Sequence, residues 1–597
     1  MRVIATAGHV DHGKSTLVRA LTGTDPDRWA EERRRGLTLD LGFAWTALPG
    51  GVELCFVDVP GHQRFVPNML AGVGPVPAVL FVVAADEGWR PQSAEHLAAL
   101  DAFGVRHGLL AVTRSDLADP EPARREALDQ LARTGLGAVP SVAVSGVTGA
   151  GMDDLRAALV ALAARVPDRD RDADVRLWVD RSFTIAGAGT VVTGTLGAGT
   201  VRVGDELSLA STGGRVRVRG LQSLGRDGTE VAAVARIAVN LRGVEREAVR
   251  RGDALLSPAA WRPTEVFDAV AHVPADAPVP THVVLHVGSA AAPARVRRLG
   301  GTCVRVTLDR ELPLRHGDRA LLRDPGRHHV VTGLTVLDAD PPPLDRRGAA
   351  RTRGADLDAL VAALPSEGPL AATRQVLRRR TVARGSALRA AGLPVAGEPV
   401  GRDWYADPVR WKALAGELAD AAAEWRRAHP LESGMPAEAA RQRLGLPDAA
   451  LVEALVPAAG LVAEGGRLHP SGPATPALPA ALERAVQAVA DDLAEAPFQA
   501  PDAARLAALG LGRREIAAAV RAGRLLAVTD TLVLLPDAPA RAAEILATLP
   551  QPFTASEARQ ALATSRRVAL PLLDLLDRTG LTERLPDDRR RLRRGAT

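Results

Sequence analysis

The first part of the chain alternates short apolar runs with segments of helical length. The apolar runs are Val3–Ala7, Leu54–Val59, Val79–Ala85, Leu109–Thr113 and Val142–Ser145. Such an alternation is typical of a parallel sheet covered by helices. The loops at the carboxyl ends of the strands in such a sheet carry the ligand-binding residues. The pattern therefore predicts an α/β domain over residues 1–171.

From Val175 onward the pattern changes to short alternating runs that glycine and aspartate interrupt. Alternation with a period of two, with turn residues between the runs, predicts the strands of small all-β domains. We expect two such domains, over residues 172–260 and 261–342. A run of three prolines at 341–343 and the arginine-rich stretch after it predict a linker.

Residues 344–597 are rich in alanine, leucine and arginine, with helix-length stretches and brief β-like segments. Segment ends of similar shape recur at Pro408, Pro470 and Pro536, which are 62 and 66 residues apart. A period of this size indicates tandem repeats of one small unit, and an ordinary repeat array is the alternative. Two or three helices and a hairpin per period predict four tandem winged-helix units, over residues 350–412, 413–475, 476–537 and 538–597.

The composition is that of folded domains, because 46% of the 597 residues are apolar. Cys55 and Cys303 both lie in apolar runs, which argues against a disulfide framework or a cysteine-rich metal site. No run approaches the ~18 apolar residues of a membrane helix, and the chain opens directly into strand-like sequence without a signal peptide. We therefore expect a cytoplasmic monomer with no membrane partner.

One segment has the pattern of a phosphate-binding loop. Gly8-His9-Val10-Asp11-His12-Gly13-Lys14-Ser15 lies between the first apolar run and a helix-like stretch. In that context the pattern predicts a P-loop, whose backbone amides and following helix face the phosphates. Lys14 and Lys412 are the only lysines in a chain whose other basic residues are arginine or histidine. A lysine at position 14 therefore indicates that this position requires a compact charge. The alternative is a glycine-rich turn with a surface lysine. The candidate nucleotide-binding residues here are Asp11, His12, Gly13, Lys14, Ser15 and Thr16.

Further residues predict contacts to magnesium and to a γ-phosphate. Ser15 and Thr38 offer hydroxyls to Mg²⁺, and Asp58 is placed to orient the metal through water. Gly61 is placed to sense the γ-phosphate. His62 is the candidate catalytic residue that orients the attacking water, because phosphoryl transfer needs positioning more than covalent chemistry. A structural histidine in a loop is the alternative.

Thr113-Arg114-Ser115-Asp116 resembles the guanine-reading Asn/Thr-Lys-x-Asp motif, with Thr113 and Arg114 in its first two positions. The Asp116 carboxylate can accept from guanine N1–H and N2–H₂, which adenine cannot match. Ser145 and Gly146 end the last strand, where a loop donates to guanine O6. Arginine stacks on planar rings as lysine does, so we expect specificity for GTP and GDP. A turn with an incidental aspartate is the alternative.

The motifs Gly8–Ser15, Arg35–Thr38 and Asp58–His62 together resemble those of the translational GTPases related to elongation factor Tu. Within that family, Glu31–Gly42 and Asn68–Gly74 look most like the selenocysteine-specific elongation factors. The resemblance implies a GTPase that uses GTP and Mg²⁺, with two β-barrel domains after the GTPase domain. It also implies selenocysteinyl-tRNA, a selenoprotein mRNA hairpin and the ribosome as partners, with delivery at in-frame UGA codons.

The same resemblance places the aminoacyl end of the tRNA between the GTPase domain and the first barrel. A selenol is ionised at neutral pH, so a pocket that selects it should be cationic and offer interactions that the wrong substrate cannot satisfy. Arg181 and Arg236 are the candidates for this pocket, with Asp180 as their orienting partner. An ordinary Asp–Arg pair on a barrel surface is the alternative.

The last segment of the chain is basic. Residues 551–597 hold ten arginines and six acidic residues. A helix that opens with two arginines and a hairpin with an arginine-rich return strand suit RNA, and the resemblance implies that this unit binds the mRNA hairpin. A basic solvated face is the alternative. The candidate RNA-binding residues are Arg566, Arg567, Arg589, Arg590, Arg591, Arg593 and Arg594.

Two other functions are consistent with parts of this pattern. A general tRNA-carrying translational GTPase would share the first three domains but has no need of the long repeated tail. A GTP-gated RNA-binding regulator would use the tail but carry no tRNA.

Overall fold

The computed structural model describes residues 2–26, 38, 40–62, 65–74, 76–187, 189–327, 329–471 and 478–593. They form two compact units, residues 1–398 and 399–597. The boundary lies inside the segment predicted as the first winged helix, 350–412. In the described part of the chain, no helix is long and apolar enough to cross a membrane.

The described residues of the first domain form a six-stranded sheet with helices around it. Its strands are β1 (Arg2–Ala7), β2 (Gly42–Leu48), β3 (Val52–Asp58), β4 (Ala78–Ala84), β5 (His107–Thr113) and β6 (Ser141–Ala143). Its helices are α1 (Lys14–Thr22), α2 (Val66–Val73), α3 (Pro91–Ala102), α4 (Pro120–Ala132) and α5 (Met152–Arg165). The strand order is β2-β3-β1-β4-β5-β6; β2 is antiparallel to β3, and the other pairs are parallel.

Both faces of this sheet are buried, as its nearly continuous apolar strands require. Val3, Ala5 and Ala7 of β1 join one core cluster, whereas Ile4 between them joins the cluster on the other face. This alternation follows from the period of two along a strand. The α/β prediction is confirmed.

The second domain is a β-barrel, in the strand order β10-β15-β7-β8-β14-β11-β12 with β10 also paired to β11. Its strands are β7 (Arg176–Ile185), β8 (Gly189–Leu196), β9 (Thr200–Arg202), β10 (Glu206–Leu209), β11 (Arg215–Ser223), β12 (Arg226–Gly228), β13 (Glu230–Ala232), β14 (Ala235–Arg242) and β15 (Ala254–Leu256). Inward-facing residues of these strands, such as Val192 and Val239, form a core of their own.

The third domain is a closed barrel in the order β16-β19-β18-β17-β20-β21. Its strands are β16 (Thr264–Ala271), β17 (His282–Val287), β18 (Ala290–Gly300), β19 (Cys303–Leu312), β20 (Arg319–Arg323) and β21 (Val330–Asp338). The two-barrel prediction is confirmed. Next in the chain come α6 (Ala349–Glu367), α7 (Leu370–Arg380), β22 (Val382–Arg384) and α8 (Gly385–Ala390).

The second unit consists of short helices and small hairpins. Its elements are β23 (Trp404–Ala406), α9 (Pro408–Ala428), β24 (Met435–Pro436), α10 (Ala437–Leu444), α11 (Ala449–Leu455), β25 (Leu461–Glu464), β26 (Arg467–Pro470), α12 (Ala480–Glu495), α13 (Ala503–Ala508), α14 (Arg513–Arg521), β27 (Leu526–Thr529), β28 (Leu532–Leu534), α15 (Ala538–Ala547), α16 (Ala555–Ala561), α17 (Arg566–Arg578), β29 (Thr582–Arg584) and β30 (Arg590–Leu592). The side chain of Asp407 caps α9 by accepting from the backbone amide of Arg410 at 2.9 Å, and Pro408 fits its first turn.

The segments predicted as the third and fourth winged helices share a single apolar core. It extends from Leu482 in α12 to Leu576 in α17 and includes the buried ring of Phe553. The hydroxyl of Thr564 also donates to the backbone carbonyl of Phe498. Repeats that share a core stabilise one another. The count of four units stays a prediction.

Candidate functional site

The P-loop wraps around the side chain of Lys14. The ammonium of Lys14 donates to the backbone carbonyls of Gly8 at 3.1 Å and His9 at 2.6 Å. Gly8 has φ +135°, and a Cβ there would lie 2.1 Å from the carbonyl oxygen of Val82, so no other residue fits. Burial lowers the pKa of Lys14 to about 8. The loop therefore holds a compact buried cation at the end of β1.

The three side chains predicted to hold magnesium, those of Ser15, Thr38 and Asp58, meet beside this lysine. The Ser15 hydroxyl donates to the Asp58 carboxylate at 2.6 Å and lies 2.9 Å from the Thr38 hydroxyl. Thr6 donates to the other Asp58 oxygen at 2.7 Å and fixes its orientation. Among the described residues no group of three His, Cys, Asp or Glu side chains could hold a metal. One carboxylate with two hydroxyls fits Mg²⁺, which prefers oxygen and uses substrate phosphates for other ligands.

Gly61 approaches this cluster too closely for any side chain. A Cβ on Gly61 would lie 2.5 Å from the Lys14 ammonium and 2.7 Å from the backbone nitrogen of Val10. His62 follows, half-buried, with its ring centroid 5.9 Å from that of Phe65. The structure thus brings the predicted γ-phosphate sensor against the lysine, and the predicted catalytic histidine follows it in the chain.

Arg114 occupies a position at the P-loop rather than in open solvent. Its guanidinium pairs with Asp86 and Glu87, both at 2.9 Å, and donates to the backbone carbonyl of Asp11. The backbone of Arg114 is left-handed, with φ +56°. The side chain predicted to lie along the base is therefore held by two carboxylates.

The other guanine-site candidates end β5 and β6. The Thr113 hydroxyl donates to the backbone carbonyl of His12 at 2.7 Å, which ties β5 to the P-loop. The Ser145 hydroxyl accepts from two backbone amides of its own loop, at 3.1 and 3.3 Å. Asp116 is exposed, and Gly146 is half-buried. These residues lie at the carboxyl edge of the sheet, where a base can be read.

Sequence reasoning missed two residues of α3 that support the P-loop. The ring Nδ1 of His96 accepts from the backbone amide of Gly8 at 3.1 Å, and the Gln92 side chain accepts from that of Val10 at 3.1 Å. Gln92 and His96 lie four residues apart, on one helix face. Polar residues at that spacing next to apolar core positions were the available signal.

Asp180 and Arg236 form a buried pair in the first barrel. Asp180 accepts from both terminal nitrogens of Arg236, one at 2.6 Å, and from the Thr193 hydroxyl at 2.8 Å. The Arg236 guanidinium lies 3.8 Å above the ring of Phe43, which belongs to β2 of the GTPase domain. Arg236 therefore has its charge balanced inside the protein by Asp180, which was predicted as the partner of both Arg181 and Arg236.

Arg181 instead faces a cavity of about 900 Å³ between the GTPase domain and this barrel. It pairs with Asp40 at 3.2 Å and donates to the backbone carbonyl of Leu41. Sequence reasoning missed three further arginines of the cavity wall, Arg246, Arg250 and Arg251. Arg251 donates to Asn68 of α2 at 2.9 Å and pairs with Asp40 at 3.3 Å. The charge-rich loop before Gly252 was the signal for them.

The basic C-terminal segment divides into exposed and buried arginines. The exposed ones are Arg566, Arg567, Arg589, Arg591 and Arg593. Arg590 is a correction to the predicted RNA-binding set: it is 4% exposed and pairs with Asp574 and Asp577, both at 2.8 Å. Its side chain anchors the hairpin to α17 and cannot reach a ligand. Arg594 lies outside the described residues.

Comparison with known families agrees with this architecture. Residues 1–165 match the elongation factor Tu GTP-binding domain, and residues 189–256 match elongation factor Tu domain 2. Elongation factor Tu 2 of Streptomyces avermitilis is 36% identical over 295 residues, which cover 45% of this chain and 75% of that protein. The chain belongs to the elongation factor Tu family of translational GTPases.

Within the elongation factor Tu family, the chain also matches the selenocysteine-specific factors. Residues 266–343 match the β-barrel domain of the selenocysteine-specific elongation factor, and residues 544–591 match a winged helix of elongation factor SelB. The selenocysteine-specific elongation factor of Desulfomicrobium baculatum is 40% identical over 374 residues. That match covers 60% of this chain and 58% of that protein, so it spans less than two thirds of the relative.

A solved structure of this family extends the similarity to the whole chain. The crystal structure of a bacterial selenocysteine-specific elongation factor, EF-Sec, covers 100% of both chains with a TM-score of 0.78 and 25% identity. The predicted family and its C-terminal winged helix are therefore confirmed, whereas the roles of the individual site residues stay predictions.

Two buried histidines, His12 in the P-loop and His96 in α3, make this elongation factor Tu-type domain sensitive to acid. Burial lowers the pKa of His12 and of His96 to about 3, from an ordinary value of 6.5. Between pH 6.5 and 3 the unfolded state binds these protons and the folded state does not, so stability falls as the pH falls. Each histidine costs about 1.4 kcal/mol per pH unit in that window, and nothing above about pH 7.

Native-state hydrogen exchange of the β1 and β4 amides at pH 7.5, 6.5 and 5.5 measures this loss. In the variant His96→Gln, the unfolding free energy should fall less steeply as the pH is lowered. The slope should be smaller by the contribution of one histidine, about 1.4 kcal/mol per pH unit. An unchanged slope would show that His96 is already protonated in the folded protein.

Proposed function

We propose that the chain is an elongation factor that binds GTP and selenocysteinyl-tRNA and delivers the tRNA to the ribosome at in-frame UGA codons. One observation carries this proposal. The Thr38 hydroxyl contacts the Ser15 hydroxyl, and Asp40, two residues later, pairs with Arg181. Arg181 lines the cavity between the GTPase domain and the first barrel, called the cationic cavity below because four arginines line it. A segment that responds to the nucleotide thus also positions the arginine that meets the aminoacyl group.

In the nucleotide site, the residues act through charge and position. Lys14 offers a compact cation to the β- and γ-phosphates, and Ser15, Thr38 and Asp58 would hold Mg²⁺. When bound, that ion neutralises phosphate charge. Gly61 leaves room for the γ-phosphate next to Lys14, so GTP and GDP are distinguished at this point. Loss of the γ-phosphate then frees the segment that carries Thr38.

In the cationic cavity, Arg181 and its neighbours favour an ionised group over a neutral one. A selenol is ionised at neutral pH, whereas the serine hydroxyl is not. Hydrogen bonds to a charged group contribute about 1.5–3 kcal/mol, which corresponds to about 10- to 100-fold in affinity. Asp40 holds Arg181 in place before the tRNA arrives.

The exposed arginines of α17 and the last hairpin would bind the stem of an mRNA hairpin. An RNA stem is recognised by its shape and its phosphates, which guanidinium groups contact well. This contact would tether the factor to a ribosome that has reached the UGA codon. We further propose that the protein acts as a cytoplasmic monomer.

Guanine specificity is the first test of the nucleotide site. Fluorescent GDP should be displaced by GTP and not by equal concentrations of ATP, because Asp116 pairs with two donors that adenine lacks. Asp116→Ala should remove the preference, and Asp119→Ala, which changes a helix cap nearby, should keep it. Displacement by ATP equal to that by GTP would contradict the guanine assignment.

The winged-helix arginines make a second prediction. Arg566→Ala with Arg567→Ala should weaken binding of a host selenoprotein mRNA hairpin and reduce the salt dependence by about one unit per lost phosphate contact. Arg590→Gln should instead lower the stability of the unit, because Asp574 and Asp577 lose their buried partner. Titration of the labelled hairpin at several salt concentrations gives the affinity and its salt dependence. Unchanged affinity in the double variant would contradict the predicted RNA-binding face.

A further inference from the structure

A cavity of about 500 Å³ lies where the GTPase domain and both barrels meet. It is lined by residues just before β4 and at the start of β5, including Pro77 and His107. The nucleotide-site residues Asp58 and Thr113 end their strands, so this cavity is at the opposite edge of the sheet. Arg181 of the proposed aminoacyl pocket does not line it. It is therefore separate from both sites described above.

One wall of this interdomain cavity is rigid and electrically balanced. The guanidinium groups of Arg176 and Arg315 lie 4.6 and 3.4 Å from the ring centroid of Trp261. Arg176 pairs with Asp318 at 2.6 Å, and Arg315 pairs with Asp174 at 2.8 Å. These residues are held in place by their own partners and form a fixed aromatic and polar platform.

The rest of the wall carries positive charge without a matching carboxylate. Among the residues that the structure describes, no carboxylate lies within the 4.0 Å of a salt bridge from Arg106, Arg169 or Arg319. Among the described side chains, the hydrogen-bond partner of the Arg319 guanidinium is the ring of His272, at 3.0 Å. Burial and the charge of Arg319 lower the pKa of His272 to about 4, so this ring is neutral. It does not offset the charge of Arg319.

Basic groups also repel one another in and beside this lining, which includes Arg106, Arg169 and Arg319. Burial and the charge of Arg106 lower the pKa of Arg319, with Asp101 opposing them. Burial and the charges of Arg165 and Arg169 lower the pKa of His107. An anion placed between these groups would relieve that repulsion.

We propose that the interdomain cavity binds a small phosphate-bearing anion of nucleotide size, whose phosphates contact Arg106, Arg169 and Arg319. The volume lies in the range of small-molecule pockets. The forked guanidinium matches phosphate oxygens in pairs. Because three domains form the wall, the bound anion stabilises their present arrangement and is linked to every ligand that depends on it.

Calorimetric titration tests this site in the full chain, with inorganic tripolyphosphate added to protein saturated with GDP. We expect saturable binding to one site while GDP stays bound. Arg169→Gln with Arg319→Gln should weaken it at least tenfold. The matched control is Arg217→Gln with Arg242→Gln, an exposed cross-strand pair on the first barrel, which should leave it unchanged.

GDP affinity of each variant shows that the folded protein is intact. Absence of saturable binding, equal weakening in the two double variants, or release of GDP by tripolyphosphate would each overturn the proposal. A second titration with ADP identifies the source of the phosphate. Tighter binding of ADP than of tripolyphosphate indicates a nucleotide, and equal or weaker binding indicates the phosphate groups alone.

Discussion

Replacing His62 with alanine should abolish ribosome-stimulated GTP hydrolysis and leave GTP binding nearly intact. His62 follows Gly61, whose backbone lies against the Lys14 ammonium, where the proposed function places the γ-phosphate. A side chain that positions the attacking water contributes about 10²- to 10⁴-fold to the rate. The loss should appear in single-turnover hydrolysis at saturating ribosome concentration, measured beside the affinity for fluorescent GDP.

Two variants make the His62 experiment specific. His62→Gln keeps a group that can hydrogen-bond water and should retain part of the stimulated rate. His282→Ala, at an exposed position on the second barrel, should behave as the unchanged protein does. A large loss of nucleotide affinity in His62→Ala would contradict the catalytic role and indicate a structural one.

Replacing Arg353 with alanine should destabilise the first unit by about 3 kcal/mol, because it removes the buried cation that joins two aspartates in an ion network. Arg353 is 3% exposed and bonds Asp268 at 2.7 Å and Asp338 at 2.6 Å. Asp268, which is fully buried, also pairs with Arg305 at 2.7 Å. The network ties helix α6 to the second barrel.

Urea unfolding, followed by a signal from the second barrel, measures this cost. Arg351→Ala removes an exposed arginine two residues earlier in the same helix and should change stability by less than about 0.5 kcal/mol. A cost below 1 kcal/mol for Arg353→Ala would mean that Arg305 balances Asp268 and that Arg379, which pairs with Asp338 at 2.9 Å, balances Asp338. The ion network would then not be what holds α6 to the barrel.

Periodicity predicted the elements whose burial is set by the pattern of their own residues. The runs Val3–Ala7 and Leu54–Val59 became central parallel strands, because a strand buried on both faces needs continuous apolar residues. The P-loop was predictable for a related reason. Two of its glycines are fixed by local backbone geometry, because Gly8 and Gly13 have φ of +135° and +80°.

Contacts between distant segments were harder to predict. Phe43 lies in an ordinary apolar run, and nothing local indicates that its ring supports Arg236 of another domain. Arg590 lies among exposed arginines, and only the packing of the hairpin on α17 buries it beside Asp574 and Asp577. Alternation along a strand gives the face of a residue, but the partner across an interface depends on the whole fold.

The division of the tail into four tandem units is a part of the sequence interpretation that stays a prediction. The spacing of Pro408, Pro470 and Pro536 marks the ends of hairpins and not the limits of cores. The shared core from Leu482 to Leu576 joins two predicted repeats. Each unit of about 60 residues has little apolar surface to bury alone, so neighbours pack together.

Binding of charged tRNA tests the proposed function most directly. The chain, loaded with a non-hydrolysable GTP analogue, should bind one tRNA about 10- to 100-fold more tightly when it carries selenocysteine than when it carries serine. Arg181→Ala should remove most of this preference, and Arg219→Ala, exposed on the same barrel, should keep it. Equal affinity for the two charged forms would contradict the cationic pocket, and absence of binding to both would contradict a tRNA-carrying role.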